Sequence, residues 1–221
     1  MKRLITTLAA AGAAFMFASA ALAADINLGF RGNLGFNTGS KWEGRAGEPF
    51  NFSDNDLMLG FGLAVYANFG LTKGGPGTIG IQPELNFHVR NGVYYDSSTD
   101  VWFTGMSFDV PVLFTYRIPI NSFMIGFGIG PYLSVPCFME AHSKNNYQET
   151  ITDYKNENID FGFAFDINFG INFRSGRFIV DLRYVTDLTV TKASMDTAGA
   201  PTHDVFTRRN LLLGFGYEFA I

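Results

Sequence analysis

Residues 159–173 read IDFGFAFDINFGINF. Every odd position is apolar: Ile159, Phe161, Phe163, Phe165, Ile167, Phe169, Ile171 and Phe173. Every even position is Asp, Gly, Ala or Asn. A period of two belongs to a β-strand, whose side chains point alternately to two faces. The stretch therefore predicts a long strand with one wholly apolar face and one small, polar face.

The same alternation recurs along the chain. It is present in DINLGFRGNLGFN (25–37), LMLGFGLAVYANF (57–69), TIGIQPELNFHVR (78–90) and GMSFDVPVLFTYR (105–117). It returns in SFMIGFGIGPYLSV (122–135), FIVDLRYVTDLTV (178–190) and TRRNLLLGFGYEF (207–219). With 159–173 these are eight strands. Their connections alternate in length. Residues 70–77 (GLTKGGPG), 118–121 (IPIN) and 174–177 (RSGR) are short and rich in turn-forming residues. Residues 38–56, 91–104, 136–158 and 191–206 are long and polar, with scattered aromatics. An even strand count with short turns at one end and long loops at the other describes an all-β fold, an eight-stranded antiparallel up-and-down transmembrane barrel. No later stretch is apolar enough for a spanning helix.

The N-terminus, MKRLITTLAAAGAAFMFASAALAAD, has basic Lys2 and Arg3, an apolar run, and an Ala21-Leu22-Ala23 cleavage pattern. It predicts a cleaved secretory signal over 1–23 and a single barrel domain over 24–221. Removing Lys2 and Arg3 takes the balance from 16 basic and 20 acidic residues to 14 and 20, a net charge of −6. Nucleic acid is not an expected partner of so acidic a chain. The lone Cys137 can form no internal disulfide and is assigned no role.

A soluble barrel would turn its apolar face inward and water-solvating residues outward. Here the second face is instead rich in Gly, with Asn, Asp, Arg and Tyr, among them Gly60, Gly62, Gly126, Gly128, Gly214 and Gly216. Small residues suit the lumen of an eight-stranded barrel, which is only just wide enough for side chains. The apolar face accordingly meets lipid. Thirteen residues, tilted, climb roughly 33 Å, enough for an apolar band and its rims. Phe69, Tyr116, Phe123, Phe173, Phe178, Tyr217 and Phe219 fall beside the short turns or the C-terminus, and form an expected aromatic girdle.

The segment SFDVPVLFTYRIPINSFMIGFGIGPYLSV (107–135) holds a D-V-P-x-L-x-x-Y strand followed by one ending in Gly-Pro-Tyr. It resembles the small porin-like outer-membrane β-barrel domain of Gram-negative bacteria, a family that includes OmpA-type eight-stranded barrels. Residues 159–190, with D-L-R-Y, and the closing RRNLLLGFGYEF (208–219) look like the last strands of that family. The resemblance marks a fold and implies residence in the outer membrane, contact with outer-membrane lipid, and insertion by the barrel-assembly machinery. Such barrels commonly finish on an aromatic residue, whereas here Phe219 is followed by Ala220-Ile221.

Counted from the short-turn ends, Arg31, Glu84, Asp109, Asp166 and Arg183 face inward at similar heights, with Asp181 on the same face. A second tier, nearer the long loops, holds His88, Arg90, Asp160, Asp187 and Arg208. These charges either plug the lumen as ion pairs or line a narrow path for ions and small polar solutes. Catalysis is not expected. His142-Ser143 and Thr202-His203 lie in long loops, and adjacent residues in a strand point to opposite faces. No H-E-x-x-H, G-x-S-x-G or G-x-x-x-x-G-K occurs. The glycines of GFGIGP (126–131) have the period of a strand, not of a nucleotide loop. Glu140, Glu149, Asp153 and Glu157 are too dispersed for a calcium loop, and neither a metal nor a cofactor is expected. Trp42, Tyr94, Tyr95, Trp102, Tyr147 and Tyr154 lie in the long loops, either as anchors for a surface ligand or as packing at the barrel mouth. The leading expectation is a structural or surface-interaction barrel. A narrow channel comes second and a lipid-modifying enzyme third.

Overall fold

A computed structural model describes residues 25–37, 41–43, 49–51, 58–72, 75–95, 99–145, 149–156, 159–189, 191–195, 202–207 and 209–220. The predicted signal and Arg208 lie outside them. Eight strands form the barrel: β1 (Asp25–Asn37), β2 (Met58–Gly70), β3 (Thr78–Tyr95), β4 (Thr99–Ile120), β5 (Phe123–Asn145), β6 (Asp160–Phe173), β7 (Gly176–Asp187) and β8 (Arg209–Ala220). Each pairs antiparallel with its neighbours in sequence, and β8 pairs back onto β1 from Asn27↔Ala220 to Asn37↔Asn210. That closure leaves no sheet edge in the wall, which is what a β-structure in hydrocarbon requires.

The alternation sorts the two faces as the sequence predicts. Outward residues such as Phe61, Leu63, Phe114, Phe169 and Phe215 are exposed, Leu63 by 68%. Their inward neighbours are buried. An apolar surface running round the whole wall is untenable in water, and lipid is the solvent that matches it. On β4 and β5 this face runs from Tyr116 and Phe123 to Met106 and Phe138. It then turns polar at Thr104, Glu140 and His142. The ten-residue climb from Tyr116 to Met106 spans about 25 Å, one apolar band.

The long connections are more regular than their composition suggests. Residues 91–104 and 136–158, expected as loops, continue β3, β4 and β5 and add a strand at Glu149–Asn156. Further short strands at Lys41–Glu43, Pro49–Asn51, Thr191–Met195 and Thr202–Thr207 pair side by side with it, extending one sheet beyond the band. Apolar alternation reports a strand only where one face is buried in an apolar medium. Above the band no lipid imposes a period of two, so the pattern is silent there. β5 changes partner, from β6 below to Glu149–Asn156 above, just beyond a bulge. Met106 pairs with Phe138 and Ser107 with Pro136, so Cys137 is the extra residue.

Inside the wall the strands approach closely at glycine. A Cβ on Gly130 would come within 1.9 Å of the Val112 carbonyl oxygen, whereas one on Gly32 would meet nothing within 4 Å. Gly130→Ala should therefore destabilise the folded barrel by about 1–3 kcal/mol. Gly32→Ala should shift it by no more than about 0.5 kcal/mol. Equilibrium unfolding in lipid vesicles measures both, and equal midpoints would contradict the packing. Leu63→Arg, on the exposed face of the band, should cost about 2–4 kcal/mol in the same assay.

Candidate functional site

Inward charges of four strands meet at Glu84 of β3. Arg183 of β7 grips it with both ends of its fork, Nη1 donating to Oε2 at 2.6 Å and Nη2 to Oε1 at 2.8 Å. Arg31 of β1 donates from Nη2 to Oε2 at 3.0 Å, and Gln82 from Nε2 to Oε1 at 2.6 Å. Arg183 also lies 3.5 Å from Asp166 of β6, and Arg31 Nε lies 3.2 Å from Asp181 of β7. The side chains of all five charged residues are 0–2% exposed. Charges this dry persist only when they are paired and hydrogen-bonded. Tyr66 packs its ring against Arg31, 5.6 Å from the guanidinium carbon, and fills the space above Gly29.

Asp109 is not at this height. Following the ladders from Arg31 leads through Ala64, Asn86 and Asp109 to Ser134 and Asp160. In a tilted barrel that path climbs along the axis, and counting from strand ends ignores the climb. Asp109 therefore joins the upper tier, where it accepts hydrogen bonds from Ser107 at 3.1 Å and from Ser134. Tyr132 donates to Asp187 in the same region, and His88 and Asp160 are buried there. Arg90 stands in β3 opposite Gly60 and Gly105, and its side chain lies outside the described residues.

Two features of the lumen escaped the sequence reading. One is an apolar layer between the tiers, made by Leu113, Tyr132, Ala164, Val185 and Leu212. The other is a lower polar tier at the short-turn end. Glu218 accepts from Arg117 at 2.7 Å and from Arg177 at 3.3 Å, Arg117 donates to Gln82 at 2.8 Å, and Asn68 donates to Gln82 and Thr115. Gln82 thus joins the lower tier to the Glu84 centre. The parity that found Asp181 and Arg183 also turns Glu218 inward in GFGYEF and Leu212 inward in NLLLG, so the signal was present in both.

On the outside, Tyr116, Phe123, Phe173, Phe178 and Phe219 are exposed near the short-turn end. Tyr217 is half-buried, edge-on to Phe219 at 4.8 Å and hydrogen-bonded to Ser175. Phe69 is a correction to the girdle. It is 4% exposed, and its outward neighbour Ala67 is buried with it. Strand parity gives the side on which a ring stands and not whether that side is covered. Among the other candidates, His142 pairs with Glu140 on the polar outer face above the band, and Cys137 is exposed with its thiol toward the Val135 carbonyl. The side chains of Ser143, His203 and the loop aromatics lie outside the described residues.

Residues 15–192 match the family model of the outer membrane protein beta-barrel domain. The chain belongs to this family. Like its fellow members, the barrel domain resides in the outer membrane of Gram-negative-type bacteria. OprG from Pseudomonas aeruginosa shares its fold, at 14% identity and a TM-score of 0.52, over 89% of this chain and 97% of that one. A major outer membrane protein from Thermus thermophilus is similar at 12% identity and a TM-score of 0.47, over 87% of this chain and 99% of that one. No curated protein sequence matches the chain.

The geometry of the barrel domain sets one stability prediction. Arg183→Ala strips two carboxylates of their shared partner and should cost about 3–5 kcal/mol. Lys144→Ala, near the loop end of β5, should leave the urea midpoint within experimental error of wild type. Equal losses for the two variants would contradict the assigned centre.

Proposed function

We propose that this barrel is a sealed outer-membrane scaffold which works through the hairpins it raises beyond the lipid, and not as an open pore. The observation that carries this reading is the dryness of the mid-barrel charges. A residue lining a water-filled path keeps a share of its surface accessible to water, whereas Arg31, Glu84, Asp166, Asp181 and Arg183 are 1–4% exposed. The apolar layer of Leu113, Tyr132, Ala164, Val185 and Leu212 adds a second barrier, because a hydrophobic constriction excludes ions by dewetting. A scaffold of this kind presents its chemistry on the sheet beyond the band. There the short strands of three of the long connections pair with one another, and the Glu149–Asn156 strand joins them to β5. Regular ladders of that kind hold contact residues in place more firmly than free loops do. Such a role needs no cofactor and no catalytic residue. A surface ligand of these hairpins is its partner.

Planar bilayers test the reading. Folded wild-type protein should show no steady single-channel current. Leu212→Ala combined with Leu113→Ala thins the apolar layer and should raise the frequency of brief openings. Sustained wild-type conductance, with an ion selectivity that Arg183→Ala alters, would instead establish a charge-lined path and overturn the scaffold.

A further inference from the structure

On the outside of the barrel one position breaks the rule of large apolar residues. Among the described residues, Gly32 of β1 is the one glycine that faces outward within the apolar band. A Cβ there would meet nothing within 4 Å, so the wall carries a notch where its neighbours carry rings and branched chains. Phe30 and Leu34, on either side of it along β1, are both exposed. Directly across the ladder on β2 stands Leu63, at 68% the most exposed large apolar residue described. A recess and a projection thus lie side by side on the lipid face.

No neighbouring side chain or carbonyl needs the space at Gly32, in contrast to Gly130. Glycine weakens a strand, and inside one it marks a place where another backbone or a ligand comes close. In hydrocarbon, apolar surfaces associate only by packing more closely than lipid chains do, and small residues permit that approach.

We propose that β1 and β2 form the contact between two copies of this chain, each seating its Leu63 in the other's Gly32 notch. Copies inserted from the same side of the membrane stand the same way up, so the two-fold axis relating them runs along the membrane normal. Such an axis preserves height and exchanges left with right. Gly32 and Leu63, side by side on one copy, therefore face Leu63 and Gly32 of the second. Strand spacing and tilt set the two positions about 3 Å apart in height, within the reach of a leucine side chain. The exposed parts of the large outward residues of 28–36 and 59–65 come to roughly 800 Å², what each partner gives to a stable complex of standard size. None of those outward residues is polar, so no desolvation opposes the contact. This contact goes beyond the scaffold reading and does not depend on it.

The test reconstitutes the full barrel in phosphatidylcholine vesicles, with copies labelled by donor or acceptor dye at the exposed Cys137 thiol, over a range of lipid dilution. Wild type should show energy transfer well above that of randomly dispersed labels. Gly32→Leu fills the notch and Leu63→Ala removes the projection, and each should lose half its transfer at a lipid dilution at least ten-fold lower than wild type. Ile167→Ala, on the exposed face of β6, should behave as wild type. In a Cys137→Ser background, a mixture of Gly32→Cys and Leu63→Cys copies should form disulfide-linked dimers on mild oxidation. A mixture of Gly32→Cys and Ile167→Cys copies should not. Should Gly32→Leu fail to insert, Leu63→Ala and the cross-link carry the test. Wild-type transfer no greater than that of dispersed labels would leave the notch to a lipid chain and overturn the proposal. Transfer that neither variant weakens would put the contact on another face and overturn it too.

Discussion

The constraint beneath everything else is that hydrocarbon supplies no partner for a backbone N–H or C=O. A sheet can lie in that medium only if its first and last strands pair, and the β1–β8 ladder from Asn27↔Ala220 to Asn37↔Asn210 does this. Once eight strands close, the diameter is fixed, and with it the width of the lumen. The rest of the sequence answers to those two facts. Large apolar residues face lipid, where there is room. Glycine alternates with them where a side chain or carbonyl of the neighbouring strand needs the space.

The mid-barrel charges are buried, so they must satisfy one another. Glu84 does most of this, drawing Arg31, Arg183 and Gln82 from three strands onto one carboxylate. Gln82 continues the chain of contacts to Arg117 and, through Glu218, to Arg177 at the short-turn end. The apolar layer above is a stretch of wall where the inward residues happen to be Leu, Val, Ala and Tyr. Taken together these features tie the strands to each other through the lumen as well as along the wall.

Much of this was legible in the sequence. The fifteen residues from Ile159 state the fold almost alone, because lipid on one side and a narrow lumen on the other impose a strict period of two. The same parity finds Arg31, Glu84, Asp166, Asp181 and Arg183. It misleads at Asp109, since height in a tilted barrel depends on register and shear, which no single strand encodes. It misleads at Phe69, since parity assigns a face and not its cover. It falls silent over 91–104 and 136–158, where the strands continue beyond the apolar band. Glu218 and Leu212 were readable by the same rule and show that inward does not mean charged.

The central claim is that the odd face of residues 159–173 meets lipid and the even face meets a dry interior. Nitroxide labels placed one at a time at 161 to 172, in a Cys137→Ser background, measure this directly in vesicles. Labels at odd positions should be open to oxygen dissolved in the lipid and closed to a water-soluble nickel complex. Labels at even positions should be closed to both. Even positions open to the nickel complex would mean a water-filled lumen and contradict the account.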